Sequence, residues 1–128
     1  MRTPSVQGKV AVVTGGTRGI GREIARALVA ERGSVIICGR DRRRAEEVAA
    51  ELSRIGPGKC AGTACDVRCY AEVEALMRHA AETFGGLDIL INNAGIGHNG
   101  EVAERSLEVC RRLIDVNLMG TLHHVYAF

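Results

Sequence analysis

Apolar positions change texture repeatedly along the chain. KVAVVTG (residues 9–15) is a short β-branched run closed by glycine, the pattern of a strand buried on both faces. Ile20, Ile24, Ala27 and Leu28 then recur at helical spacing, which predicts a helix to about Arg32 with Gly33 as its stop. SVIICGR (34–40) predicts a second buried strand, and Asp41 is placed to cap a helix from Arg42 to about Ile55. GPGK (56–59) is a turn, and residues 60–65 read as a third, weaker strand. Val73, Leu76, Met77, Ala80 and Phe84 trace one face of a third helix, which Gly85 and Gly86 end. LDILINN (87–93) predicts a fourth strand, AGIGHNGE a flexible stretch, and a fourth helix runs from about Ser106 towards the end of the chain.

Strand followed by helix, repeated along the chain, predicts parallel βαβ units with helices on both faces of one sheet. The expected fold is a doubly wound, Rossmann-like α/β sheet of about four βα units. The 128 residues suit one domain, with no run apolar and long enough to cross a membrane. The start, MRTPSVQGKV, carries no apolar core or cleavage site of a leader.

Charge and cysteine narrow the function classes. A net charge of +2 hides an asymmetry: residues 1–44 hold ten Lys/Arg against three Asp/Glu, the remainder seven against twelve. A basic half raises nucleic acid as a partner. With no Trp and two each of Tyr and Phe, the chain lacks the stacking platforms of single-strand binders, so a small phosphorylated ligand fits the charge better. Cys38, Cys60, Cys65, Cys69 and Cys110 are odd in number and include no C-x-x-C pair. The four histidines add no metal-like cluster, and reduced thiols in a cytoplasmic protein are the expectation.

The chemistry concentrates in VVTGGTRGIGREIA (12–25). Four glycines, at 15, 16, 19 and 21, stand between the first strand and the first helix. Each glycine in a helix start costs roughly 1 kcal/mol against alanine. In an open α/β sheet this is where main-chain N–H groups at a helix N-terminus hold a phosphate. A tight connection alone also uses glycine, so the spacing T-G-x-x-x-G-x-G through Thr14, Gly15, Gly19 and Gly21 needs company. It is found at the close of the second strand. Many nucleotide folds carry an acid there for the ribose hydroxyls; here the stretch is Cys38-Gly39-Arg40-Asp41. An arginine suits a 2′-phosphate through a charge-assisted contact. Asp41 is open to two roles, helix cap or ribose ligand. Arg43 and Arg44 are likewise either a solvated face or part of a positive lip led by Arg18 and Arg40.

With these residues in view, the chain resembles the short-chain dehydrogenase/reductase family. Thr14-Gly15-Gly16-Thr17-Arg18-Gly19-Ile20-Gly21 is similar to the family's cofactor loop. Asp66-Val67 resembles the pair that brackets the adenine ring. Asn92-Asn93-Ala94-Gly95 resembles its NNAG motif, with Asp88 at the preceding acidic position. Val116-Asn117-Leu118-Met119-Gly120 resembles the helix that carries a catalytic asparagine. The resemblance covers the chain from Gly8 onward and implies a sheet ordered 3-2-1-4. It also implies hydride transfer between a nicotinamide and a carbonyl or secondary alcohol of a small molecule, with NADP(H) preferred through Arg18 and Arg40 and NAD(H) as the other option. A homo-oligomer is the implied assembly of the full-length form. The implied site is Gly15, Thr17, Arg18, Gly19, Ile20, Gly21, Arg40, Asp66, Val67, Asn92, Asn93, Ala94 and Gly95 for cofactor, with Asn117 catalytic.

The family's serine and Tyr-x-x-x-Lys are missing. Tyr70 is followed at that offset by Glu74, Tyr126 stands two residues from the end, and the last lysine is Lys59. Family members run to on the order of twice this length. The 128 residues therefore look like the N-terminal, cofactor-binding half, expected to be inactive alone; a non-catalytic NADP(H)-binding module is the other reading. Asn117 is either the catalytic amide or a satisfied buried one. Its polar group stands in an apolar helix, so Asn117→Leu is expected to leave stability unchanged or raise it.

Overall fold

The computed structural model describes residues 5–97 and 99–128. The first four residues of the leader reading, and His98 of AGIGHNGE, lie outside the described residues.

Four strands form one parallel sheet in the order β3-β2-β1-β4, with β1 Val10–Thr14, β2 Ser34–Gly39, β3 Lys59–Ala64 and β4 Ile89–Ile91. Both the doubly wound fold and the strand order agree with expectation. Side chains alternate across the sheet with a period of two. Val12, Ile36 and Cys38 turn to one face, where they pack with Cys65 and with Val73, Leu76, Met77 and Ala80. Val13, Val35 and Ile37 turn to the other, against Ala25, Val29, Val48, Ala49 and Leu52. Helix α3 (Tyr70–Phe84) thus covers the first face, and α1 (Gly19–Ala30) and α2 (Arg42–Ile55) the second.

Local signals set most boundaries. Asp41 caps α2, its Oδ1 accepting from the Arg44 N–H at 3.1 Å, so the cap role is filled. Gly85 ends α3 in the left-handed region, with φ of 83°. At the end of α1 that conformation falls on Arg32, φ 64°, and the Gly33 N–H closes on the Leu28 carbonyl at 2.9 Å.

Two elements differ from expectation. The fourth strand has three residues rather than seven. Side-chain oxygens join the pairing at both its ends, although the Asp88 N–H still donates to the Val10 carbonyl at 2.8 Å. Asp88 Oδ2 accepts the Val10 N–H at 2.8 Å, and Thr14 Oγ1 accepts the N–H groups of Asn93 and Ala94 at 3.0 and 2.9 Å. The fourth helix is interrupted. After α4 (Leu107–Ile114), capped by Ser106, the chain makes a π turn over Asp115–Met119 and continues as α5 (Gly120–Ala127). The turn widens the helix at Asn117, and such bulges are frequent at functional sites. Leu107, Ile114, Leu118, Val125, Tyr126 and Phe128 are all more than half exposed along this segment. Among the described residues no helix is long and apolar enough to cross a membrane.

Candidate functional site

The carboxyl ends of the four strands carry the candidate cofactor residues, and Asn117 joins them from the π turn between α4 and α5. The loop after β1 is shaped by what presses on it. Gly15 has φ of 64°, and a Cβ there would stand 3.0 Å from Ala94 Cα and Asn93 Nδ2. A Cβ on Gly21 would run into the Gly15 carbonyl and the Asn93 amide. Glycine at these two positions is therefore a requirement of close approach. Arg18 stands at the N-cap in extended conformation, and no side chain caps the helix. No acid stands in its first turn either. The leading N–H groups of α1 and the positive end of its dipole are thus available to an anion. Ile20 projects from this turn, 74% exposed, and a shallow groove lined by Gly19, Ile20, Arg22 and Ile24 starts beside it.

Thr14 and Asn93 hold the loop from beneath. Asn93 Nδ2 donates to the carbonyls of Thr14 and Gly15, at 3.1 and 3.2 Å. The Thr14 hydroxyl donates to the Ile91 carbonyl at 3.4 Å while accepting the two N–H groups already described. The Asn93 amide is turned into the protein, fixing the glycine loop against the loop after β4. Asn92 and Gly95 are exposed, Ala94 partly so. Below the loop, the Cys65 thiol and the Gly15 main chain hold the Cys38 thiol under its ordinary pKa range, against the opposing effect of burial.

At the end of β2, Thr17 leans over Gly39, with its Cγ2 3.1 Å from where a Gly39 Cβ would stand. The loop after β1 thus lies against the end of β2, which puts Arg18 and Arg40, the chain neighbours of Thr17 and Gly39, at the same edge of the crevice. Arg18 and Arg40 are exposed, and neither forms an ion pair among the described residues. The arginines that follow are engaged on their own helix, Arg42 with Glu46 and Arg43 and Arg44 with Glu47. The basic run after β2 is thus divided: Arg40 stands at the crevice with Arg18, and Arg42, Arg43 and Arg44 lie paired on a solvated helix face.

After β3, Asp66 receives the Arg68 guanidinium at 2.7 Å, and its own N–H donates to Glu72 Oε2 at 3.0 Å. The Arg68 contact holds the carboxyl below the usual range, against a smaller opposing effect of burial; Arg40 adds its charge in the same direction. Val67 is buried against Gly120, and its carbonyl meets His123 Nδ1 at 2.9 Å. The His123 ring packs edge-on against Tyr70, centroids 5.7 Å apart. Helix α5 thus braces the loop that carries Asp66 and Val67.

Asn117 corrects the sequence expectation. It is exposed, not buried, and its amide is used at both ends. Oδ1 accepts the Ile96 N–H at 2.8 Å and Nδ2 donates to the Ile96 carbonyl at 2.9 Å. A polar group satisfied in this way is not a liability that leucine would relieve. Its own carbonyl receives the Thr121 hydroxyl at 3.1 Å. The site thus joins all four candidate stretches, on the carboxyl side of the sheet. Arg68, Glu72 and His123 were not anticipated. Asp66-x-Arg68 carried a legible signal, since an aspartate commonly bonds the N–H two residues on.

Residues 9–128 match the family described as short chain dehydrogenase. Among relatives, the chain is 37% identical to dehydrogenase/reductase SDR family member 7B of Danio rerio, over 93% of this chain and 40% of that protein. Among solved structures, it is similar to a short-chain dehydrogenase from Mycobacterium smegmatis, with a TM-score of 0.91 and 33% identity over 95% of this chain and 51% of that one. It is also similar to an alcohol dehydrogenase from the archaeon Thermococcus sibiricus complexed with 5-hydroxy-NADP. There the TM-score is 0.88 and the identity 36%, over 94% of this chain and 51% of that one. The chain spans about half the length of the proteins it matches.

Proposed function

Because the chain belongs to the short-chain dehydrogenase family, we propose that it binds NADP(H) in preference to NAD(H) across the carboxyl ends of its strands. In this proposal residues 1–128 form the dinucleotide-binding part of an oxidoreductase acting on a carbonyl or secondary alcohol. The observation that carries the reading is the uncapped N-terminus of α1 beneath a glycine loop with two exposed arginines at its edge, neither in an ion pair among the described residues. The T. sibiricus neighbour, with its bound 5-hydroxy-NADP, supports the same cofactor class.

The residues fit such a group. Gly15 and Gly21 keep the loop free of Cβ atoms, and the N–H groups opening α1 suit a pyrophosphate. Thr17, Arg18 and Arg40 would take the 2′-phosphate, and Asp66 and Val67 the adenine. Ile20, Asn92, Ala94 and Gly95 would border the remainder, with Asn93 shaping the loop from below. Gly19, with φ of 55°, completes the turn. When bound, the dinucleotide supplies the hydride acceptor or donor. Asn117 acts as a positioning residue, holding the Ile96 main chain beside that site.

Within the 128 residues no tyrosine has a lysine at the fourth following position, so no such acid is available to a substrate. This favours binding without turnover for the chain by itself, the behaviour of a cofactor module. The test is a titration with NADPH and NADH by fluorescence or calorimetry, repeated on Arg40→Ala. A charge-assisted contact of about 1.5–3 kcal/mol predicts a loss of roughly tenfold or more for NADPH and little change for NADH. Equal affinities, unmoved by the substitution, would refute the preference.

A further inference from the structure

Two consecutive peptide units, Thr14–Gly15 and Gly15–Gly16, open the glycine loop. Asn93 Nδ2 donates to both of their carbonyls, at 3.1 and 3.2 Å. Their N–H groups turn the other way, towards β2, where register sets Cys38 beside Thr14. Cys38 takes both. Its carbonyl accepts the Gly16 N–H at 3.2 Å, and its sulfur faces the Gly15 N–H. The side chain is fully buried, packed with Val12, Cys65 and Val73 on the face that α3 covers. The Cys65 thiol meets the same sulfur, so burial and a second thiol keep it in place beneath the loop.

A peptide unit is planar, so a bond at each end fixes its tilt. Gly15 needs such fixing. Its φ of 64° is one of many conformations open to glycine, and ordering glycine costs more entropy than ordering any other residue. A turn already set when a ligand arrives spares that cost at binding. Resting on the proposed placement of the dinucleotide at this loop, we infer that Cys38 is a positioning residue for it: the sulfur pins the Thr14–Gly15 peptide from the side opposite Asn93, and so presets the turn that leads into α1. Cys38 acts through Gly15 and not on the ligand itself. Sulfur is a weak acceptor, so losing the contact loosens the turn rather than unfolding the protein.

The experiment measures amide hydrogen exchange by NMR, melting temperature and NADPH affinity on the 128-residue chain, C38A, C38S and V73A. C38A removes the sulfur and keeps the main-chain carbonyl at that position, so the Gly16 amide is an internal reference for Gly15. In the free protein, exchange at Gly15 is expected to quicken by about two- to fivefold relative to Gly16, the lower part of the range for a neutral hydrogen bond. NADPH affinity is expected to fall by a similar factor. C38S keeps an acceptor on the same stem and recovers part of both effects; it also serves if C38A does not fold. V73A removes bulk from the same buried cluster, on α3, and is expected to lower the melting temperature while leaving the Gly15-to-Gly16 ratio and the NADPH affinity at their wild-type values. A ratio that moves in neither C38A nor C38S overturns the role of Cys38. So does an affinity loss in V73A as large as that in C38A, which would assign the effect to packing. Failure of wild type to bind NADPH overturns the cofactor reading, while the exchange ratio in the free protein still decides the sulfur contact.

Discussion

Replacing Asn117 with leucine tests whether the π turn and the loop after β4 are one unit. The substitution removes two hydrogen bonds to Ile96, of 2.8 and 2.9 Å. Each is worth about 0.5–1.5 kcal/mol in general. Asn117 is exposed and Ile96 only partly covered, so water replaces part of what is lost, and the pair together is worth about 1–2 kcal/mol. Leucine restores a few tenths of a kcal/mol through its better helix propensity. The net expectation is a loss of about 1 kcal/mol, or roughly 3 °C in melting temperature for a domain of this size. Asn117→Asp keeps the acceptor for the Ile96 N–H and loses the donor to its carbonyl, so it should fall about midway. NADPH affinity should drop with Asn117→Leu as well, because Gly95 and Ile96 lose their anchor beside the site. The assays are thermal and urea denaturation with a parallel NADPH titration. A leucine variant that melts at or above wild type would refute the clamp, and with it the reading of Asn117 as a positioning residue.

Two further outcomes are expected. The first is acid dependence at Asp66. Its folded pKa lies below the ordinary aspartate range, chiefly through Arg68, so its contribution is complete well above that range and is lost as the pH falls through the folded value. Urea titrations of wild type and Asp66→Asn should therefore converge between about pH 5 and pH 2, and a constant gap over that range would contradict the assigned cause. The second concerns assembly. Ile89–Ile91 forms an apolar edge of the sheet, and Leu118 and Val125 are more than half exposed on the interrupted helix. Both features favour self-association. Sedimentation should show mass rising with concentration and falling back in Leu118→Glu/Val125→Lys; a concentration-independent monomer would remove the assembly proposal.

What could be read from the residues was local. The bounds of α2 follow from Asp41 and a helical apolar stripe within the same fifteen residues, and both lie where expected. Glycine at 15 and 21 announced a close approach without saying what approaches. The answer is Asn93, 78 positions from Gly15 in the chain, with its amide facing the protein. The NNAG motif contains the residue that approaches and left its direction open, because direction depends on a partner strand. Strand order came from family resemblance, since periodicity cannot tell which strand pairs with which. The short β4 was illegible for a similar reason: apolar pattern predicts burial, whereas the regular ladder gives way where the Asp88 and Thr14 side-chain oxygens accept main-chain N–H groups. Asn117 shows the strongest form of this effect. In sequence it is a polar intruder in an apolar helix, an expected cost. In the fold, the π turn aims it at a main-chain segment 21 residues earlier, and the cost disappears. The distortion of the helix and the satisfaction of the amide are then a single feature: a regular helix would keep its backbone bonds but leave Ile96 without the partner that ties the loop to the crevice.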